Sequence, residues 1–187
     1  MKPAAAFLWR RLDSPGHDGC RLFRLPGGWL LAGMAVFCEK NRPCHLTYEV
    51  VADTGWKTKR ATISGFVGSR SVELRIRATA KQRWFADGQE QGEVAGCTDL
   101  DLGFTPATNL IAIRRLSLGV GQAAEAPAAY LAFPGMRLEV LAQTYRRTER
   151  TKFEYRAPSF GYSGTLEVSR LGAVVHYPGL FEQVRSC

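Results

Sequence analysis

Long hydrophobic runs are missing from this chain. The longest stretch without a charged residue, 25–38, has fourteen residues and is broken by Pro26, Gly27 and Gly28, against the roughly 20 apolar residues that a membrane-crossing helix needs. The opening MKPAAAFLWRR has no apolar segment of signal-peptide length before its arginine pair, so the chain is expected to be made and kept in the cytoplasm. Histidine is scarce: His17, His45 and His176 complete the set. The cysteines (Cys20, Cys38, Cys44, Cys97 and Cys187) are odd in number and form no C-x-x-C pair. A disulfide framework is therefore not expected, in keeping with a reducing compartment. Cys38, Cys44 and His45 lie close enough in sequence to interest a borderline-soft metal, but no fourth ligand stands near them and buried free cysteine is common; no metal is assigned. Phosphate-loop, dinucleotide-glycine and H-E-x-x-H signatures are absent, and no cofactor is expected. Gly161-Tyr162-Ser163-Gly164 begins like a hydrolase nucleophile elbow, yet Thr165 stands where its second glycine belongs.

What is present describes a folded β protein. A chain of 187 residues fits one domain, 1–187, and at that size folding hides roughly 70% of the unfolded surface, so no staple is required. A 45% hydrophobic and 22% charged composition excludes intrinsic disorder. The net charge of +8 is concentrated: residues 57–83 hold eight basic side chains and one acidic one, Glu73. Such a stretch could grip phosphate on nucleic acid or an anionic surface. The alternation of Glu73, Arg75 and Arg77 with Val72, Leu74, Ile76 and Ala78 instead reads as a strand with one wet and one dry face, and nucleic acid is not the expected partner. A second basic run, 146–152, reads as a hairpin tip.

Period-two alternation predicts strands at 20–25, 28–38, 44–51, 56–66, 71–80, 82–87, 93–102, 113–120, 127–133, 137–147, 152–157, 159–169 and 174–177. Turn formers separate them, among them Asp53-Thr54-Gly55, Asp87-Gly88 and Pro134-Gly135. So many short strands with little helix between them predict an antiparallel meander, either closed into a barrel or strongly rolled. One helix is predicted, where Thr105-Pro106 resembles an N-cap followed by proline at the first helical position; it covers 107–112 with room to extend further, although the strand-like alternation resumes at Ile113. Residues 123–129 read as an Ala/Pro-rich connector.

The most informative stretch is Gly96-Cys97-Thr98-Asp99-Leu100-Asp101-Leu102. In a strand Cys97, Asp99 and Asp101 share one face, and the aspartate backbones lie about 6.6–7 Å apart. Two carboxylates so placed raise each other's pKa unless donors intervene, and Arg114 and Arg115 offer the planar fork that binds a carboxylate through two bonds. A donor-hungry acidic pocket would suit sugar hydroxyls; an Asp–Arg network that merely holds the sheet to the 105–109 turn accounts for the same residues equally well. Paired carboxylates also serve glycosidases. Trp56, Trp84 and Tyr145 lie near strand or turn boundaries, where aromatic faces can stack on a ligand, though most aromatics are core.

Read as strings, Trp84-Phe85-Ala86-Asp87-Gly88, Gly96 to Leu102, Thr105-Pro106-Ala107-Thr108-Asn109, Ile113-Arg114-Arg115-Leu116 and Tyr177-Pro178-Gly179-Leu180-Phe181 resemble the bacterial putative glycolipid-binding domain family. Trp9, Tyr48-Glu49-Val50, Trp56, Gln143-Thr144-Tyr145 and Tyr155 extend the resemblance over nearly the whole chain. It implies a many-stranded antiparallel rolled sheet or half-barrel wrapped around a single short helix, remotely similar to lipoprotein localisation factors. It also implies an acidic pocket for a glycolipid or sugar headgroup, with Glu49, Asp99 and Asp101 supplying acidity and Arg114 or Arg115 beside them. The chain departs from the pattern in three places: Ala112 replaces a proline, Ser169-Arg170 replaces an Asp-containing turn, and Lys59 displaces the usual arginine to Arg60.

The candidate ligand contacts are thus Glu49, Trp56, Trp84, Asp99, Asp101, Asn109, Arg114, Arg115, Tyr145 and Tyr155, with no catalytic residue. The expected function is binding of a glycolipid or related small amphipathic ligand without covalent chemistry. The alternative is a hydrolase or transferase acting on a glycolipid with the same carboxylates. An exposed sheet face or edge would make the protein a homodimer.

Overall fold

The computed structural model describes residues 2–184. Its strands are β1 (Ala5–Arg11), β2 (Gly16–Leu25), β3 (Gly28–Glu39), β4 (Arg42–Ala52), β5 (Thr58–Val67), β6 (Arg70–Ala78), β7 (Trp84–Ala86), β8 (Gln89–Glu90) and β9 (Asp99–Leu102). After the helix α1 (Asn109–Leu116) come β10 (Ala123–Glu125), β11 (Ala128–Ala132), β12 (Arg137–Leu141), β13 (Thr144–Glu149), β14 (Lys152–Ala157), β15 (Tyr162–Val168), β16 (Val174–Tyr177) and β17 (Phe181–Gln183). Fourteen of the strands form one sheet in the order β10-β13-β14-β15-β16-β17-β1-β2-β3-β4-β5-β6-β7-β8, its neighbours antiparallel. The sheet is two meanders joined where β17 pairs with β1. It does not close into a barrel; β10 and β8, of three and two residues, are its edges, and edges this short offer little template for another chain. A second sheet, β12-β11-β9, contains the parallel pair β11/β9.

Alternation sets which side chains meet the core. On β4, Cys44, Leu46, Tyr48 and Val50 are buried, whereas Glu49 between them is exposed. On β6, Val72, Leu74, Ile76 and Ala78 turn inward and Glu73, Arg75 and Arg77 outward. All eight basic side chains of 57–83 are exposed, Arg75 paired with Glu73 and Arg83 with Glu90, as a solvated face requires. A register shift leaves Lys59 between the Ala52–Thr58 and Val51–Arg60 pairs. The position that displaces Arg60 is therefore absorbed as a β-bulge. The 146–152 run is the β13–β14 hairpin tip, as expected.

The helix starts two residues later than the sequence suggests and takes the extension past 112, at the expense of the strand predicted from 113. It begins at Asn109 and runs to Leu116, so residues 113–116 are helical, not strand. Ile111 and Ile113 favour strands by propensity, but both are buried together with Leu110 and Ala112, all round the helix, and that packing outweighs a few tenths of a kcal/mol of propensity. Ala112 is part of the reason: a proline there would remove an interior N–H. Thr105 is not the cap residue of α1, yet its Oγ1 accepts the Ala107 N–H at 3.0 Å and so braces the turn before it. The predicted strand 93–102 survives only as β9, behind a 3-10 turn at Gly92–Val94; 137–147 divides into β12 and β13. Part of the supposed connector is β10, and β1 and β17, missed in the sequence, join the two meanders.

Candidate functional site

The turn that sends β9 into α1 is short, so the helix folds back beside the strand it follows. Thr108 locks this corner: its Oγ1 accepts the Leu102 N–H at 3.1 Å and faces Asp101 Oδ1 at 3.5 Å. The two aspartates of β9 meet different partners. Asp99 is almost fully buried and takes two bonds from Arg115 of α1, Nε at 2.7 Å and Nη2 at 2.6 Å. Among the described residues Asp101 has no cation beside it, and the long contact with Thr108 is its one side-chain hydrogen bond.

Asp101 opens into a cavity of about 330 Å³ whose wall includes Thr105, Asn109, Tyr130, Tyr155, Tyr162 and Tyr177. It is half-buried and forms part of the cavity wall. Burial pushes its carboxyl from the ordinary 3.8 up to about 7, the Thr108 hydroxyl opposing and the Asp99 charge adding to the rise. Tyr155, Tyr162 and Tyr177 form a cluster with centroids 5.3–5.9 Å apart. Burial, reinforced by the Asp101 charge, raises the phenols of Tyr130 (to about 12), Tyr155 and Tyr177, so they remain protonated donors. Tyr155 donates to Gln143 Oε1 at 2.8 Å, and Asn109 Nδ2 to the Tyr145 hydroxyl at 3.0 Å. Gly103 is needed here because a Cβ would overlap the Tyr130 phenol. At the mouth Phe160, 59% exposed, packs edge-on against Tyr130 at 5.3 Å.

A second buried carboxylate lies behind Thr105. Asp18 of β2 is 1% exposed and accepts the Tyr48 hydroxyl at 3.0 Å and a short bond from the Thr105 hydroxyl. Burial raises it to about 7, against the pull of those hydroxyls and the Arg11 charge. Gly33 makes the arrangement possible, since a Cβ there would overlap the Tyr48 ring. Thr105 thus joins the Asp18–Tyr48 pair to the cavity wall. The chemical capability of this corner is recognition of hydroxyls: one uncompensated carboxylate, several phenols and an amide, all between aromatic faces.

A family model described as "Putative glycolipid-binding" matches residues 6–183. The chain belongs to that family. A DUF1089 family protein from Pseudomonas aeruginosa, known from a crystal structure, is similar in fold with a TM-score of 0.80 at 24% identity, over 98% of this chain and 94% of that one. No curated protein matches the chain.

In this glycolipid-binding family member the predicted contacts do not form a single group. Asp101, Asn109 and Tyr155 line the cavity, and Tyr145 sits behind Asn109. Asp99 and Arg115 satisfy one another. Trp56 stacks on Trp29 at 4.7 Å with the Arg114 guanidinium 5.5 Å over its ring, outside the cavity wall. Trp84 is fully buried, its Nε1 donating to the Cys97 carbonyl at 2.8 Å. Glu49 cannot reach the cavity, because the alternation that buries Tyr48 turns it to the outer face.

Sequence reasoning missed Asp18, although its parity with buried Cys20 and Leu22 was a readable signal; the predicted strand began four residues late, two short of reaching Asp18. Tyr130, Tyr162 and Tyr177 gave no local sign, since they come from three strands. Cys44 and His45 are successive residues of β4, the first buried and the second half-buried on the other face, and no three His, Cys, Asp or Glu side chains gather to hold a metal among the described residues. Cys20, Cys38, Cys44 and Cys97 are free, and Cys187 lies outside the described residues. No helix among the described residues is long and apolar enough to cross a membrane.

Proposed function

We propose that this chain, acting as one domain, binds the hydroxyl-rich head of a glycolipid in the Asp101 cavity without covalent chemistry. The observation that carries this reading is Asp101 itself, a carboxyl with no cation beside it among the described residues, in a cavity walled by tyrosines. At about 330 Å³ the space is at the lower end of small-ligand sites; it would hold a head and leave the chain to pass out over Phe160. Specificity would follow from buried polar groups that a ligand lacking hydroxyls leaves unpaired. Two-carboxylate hydrolysis is less well supported, because the neighbouring Asp99 is held by Arg115. Native mass spectrometry and solvent extraction of the purified protein, with titration of a short alkyl glucoside below its micelle concentration, test the reading. At pH 8, where Asp101 is mostly ionised, a charge-assisted bond is worth roughly 1.5–3 kcal/mol, so Asp101→Asn is expected to weaken glucoside binding about 10- to 100-fold there without lowering the melting temperature. A bare wild-type protein that also ignores the glucoside would refute it.

We further propose that a second copy covers the outer face of β3. That face carries Leu30, Ala32, Met34, Val36 and Cys38, with Met34 and Val36 45% and 51% exposed. Ala32 pairs with Arg21 of β2 on one side and Glu49 of β4 on the other. A two-fold axis running along β3 between facing sheets would set Arg21 of each copy against Glu49 of the other, and that complementarity favours a second copy as the occupant. Light scattering after gel filtration should show a dimer for the wild type and a monomer for Met34→Lys with Val36→Glu. Arg21→Glu should weaken the dimer, and adding Glu49→Arg should restore it. A wild-type monomer, or no rescue, would overturn the proposal.

A further inference from the structure

Three chain segments meet at the C-terminal end of α1 around a recess of about 150 Å³. Arg114 and Ser117 come from the helix end, Arg147 and Arg150 from the β13–β14 hairpin, and Ser169 and Arg170 from the turn between β15 and β16. The wall contains four arginines and no carboxylate. None of the four is in an ion pair among the described residues; the nearby Glu149 is held by Lys152 at 3.0 Å. Arg147 is fixed in place, donating to the carbonyls of Leu118 at 2.7 Å, Glu149 at 3.3 Å and Arg150 at 2.5 Å. Arg114 is steadied by the Trp56 ring. Arg150 and Arg170 are exposed and make no side-chain hydrogen bond among the described residues, so their donors are available. Ser169 Oγ accepts the Ala173 N–H at 3.2 Å, which leaves its own proton to donate.

We propose that this recess binds a phosphate-type oxyanion. Like charges brought together from three segments repel in the empty protein, and an oxyanion relieves that repulsion while accepting the forked donors that arginine presents. The size also fits: liquid water takes about 30 Å³ per molecule, so the recess has room for roughly five waters or one phosphate group. It lies at the opposite end of α1 from the Asp101 cavity, about 12 Å along an eight-residue helix, and does not depend on what that cavity holds. The same chemistry could come from free phosphate or from the phosphate of a lipid head.

The test is titration with inorganic phosphate by calorimetry and thermal shift, at ionic strength held constant with sodium chloride. Saturable binding is expected, and Arg150→Ala with Arg170→Ala should weaken it about tenfold or more while leaving the phosphate-free melting temperature unchanged or slightly raised. Arg75→Ala with Arg77→Ala, on the basic sheet face, should change nothing. Flotation with phosphatidylglycerol against phosphatidylcholine vesicles separates the two sources: capture by the former that Arg150→Ala with Arg170→Ala abolishes assigns the site to lipid, and phosphate binding without capture assigns it to the free anion. No phosphate effect beyond that of matched chloride would overturn the proposal, as would equal losses in the two double variants.

Discussion

Asp99→Ala is expected to cost this protein about 3–5 kcal/mol, the range found when one member of a buried ion pair is removed and the other is left without its counter-charge. Asp99 has 2% of its side chain exposed and Arg115 19%, and two short bonds join them. For a chain of this size each kcal/mol is worth about 2–4 °C, so the melting temperature should drop by roughly 6–20 °C. Replacing both partners with leucine should recover most of the loss, because a well-packed apolar pair spares both desolvation penalties. The comparison with Asp101→Asn separates the two aspartates: one holds α1 on β9 and the other faces the cavity. If Asp99→Ala loses less than about 1 kcal/mol, the pair is not holding the helix and the assignment fails.

Stability should also fall as the pH rises, the reverse of the trend in proteins held by ionised carboxylates. Asp18 has an ordinary value of 3.8 and is raised to about 7 by burial. Between those values the folded state keeps a proton that the unfolded state has lost. The contribution is complete below about pH 4 and is lost as the pH climbs through 7, by at most about 4 kcal/mol for this one group. Asp101 acts in the same direction. Urea unfolding at pH 5 and pH 8 should give a free energy lower at pH 8 by roughly 2–3 kcal/mol from Asp18. Asp18→Asn should flatten the dependence, and combining it with Asp101→Asn should flatten it further. A wild-type protein more stable at pH 8 than at pH 5 would show that the hydroxyls of Tyr48 and Thr105, with Arg11, hold Asp18 ionised.

The amino-acid sequence determined the β class, most strands of the large sheet and the shared face of Asp99 and Asp101, because alternation and turn chemistry act within a few residues. It left open whether the sheet closes, and edges as short as β8 and β10 decide that it does not. Strand parity also held what was needed to place Glu49 outside and Asp18 inside, had β2 been read from its true start. Tertiary structure alone decided the rest. The β-branched residues of α1 became helical because the helix is buried all round its first turn, a gain that no local pattern reports. Asp99 and Asp101, alike in sequence, differ because the chain places Arg115 beside only one of them. The tyrosine-walled cavity and the arginine recess each gather side chains from segments far apart in the chain, and their charge and desolvation exist only once those segments are packed together.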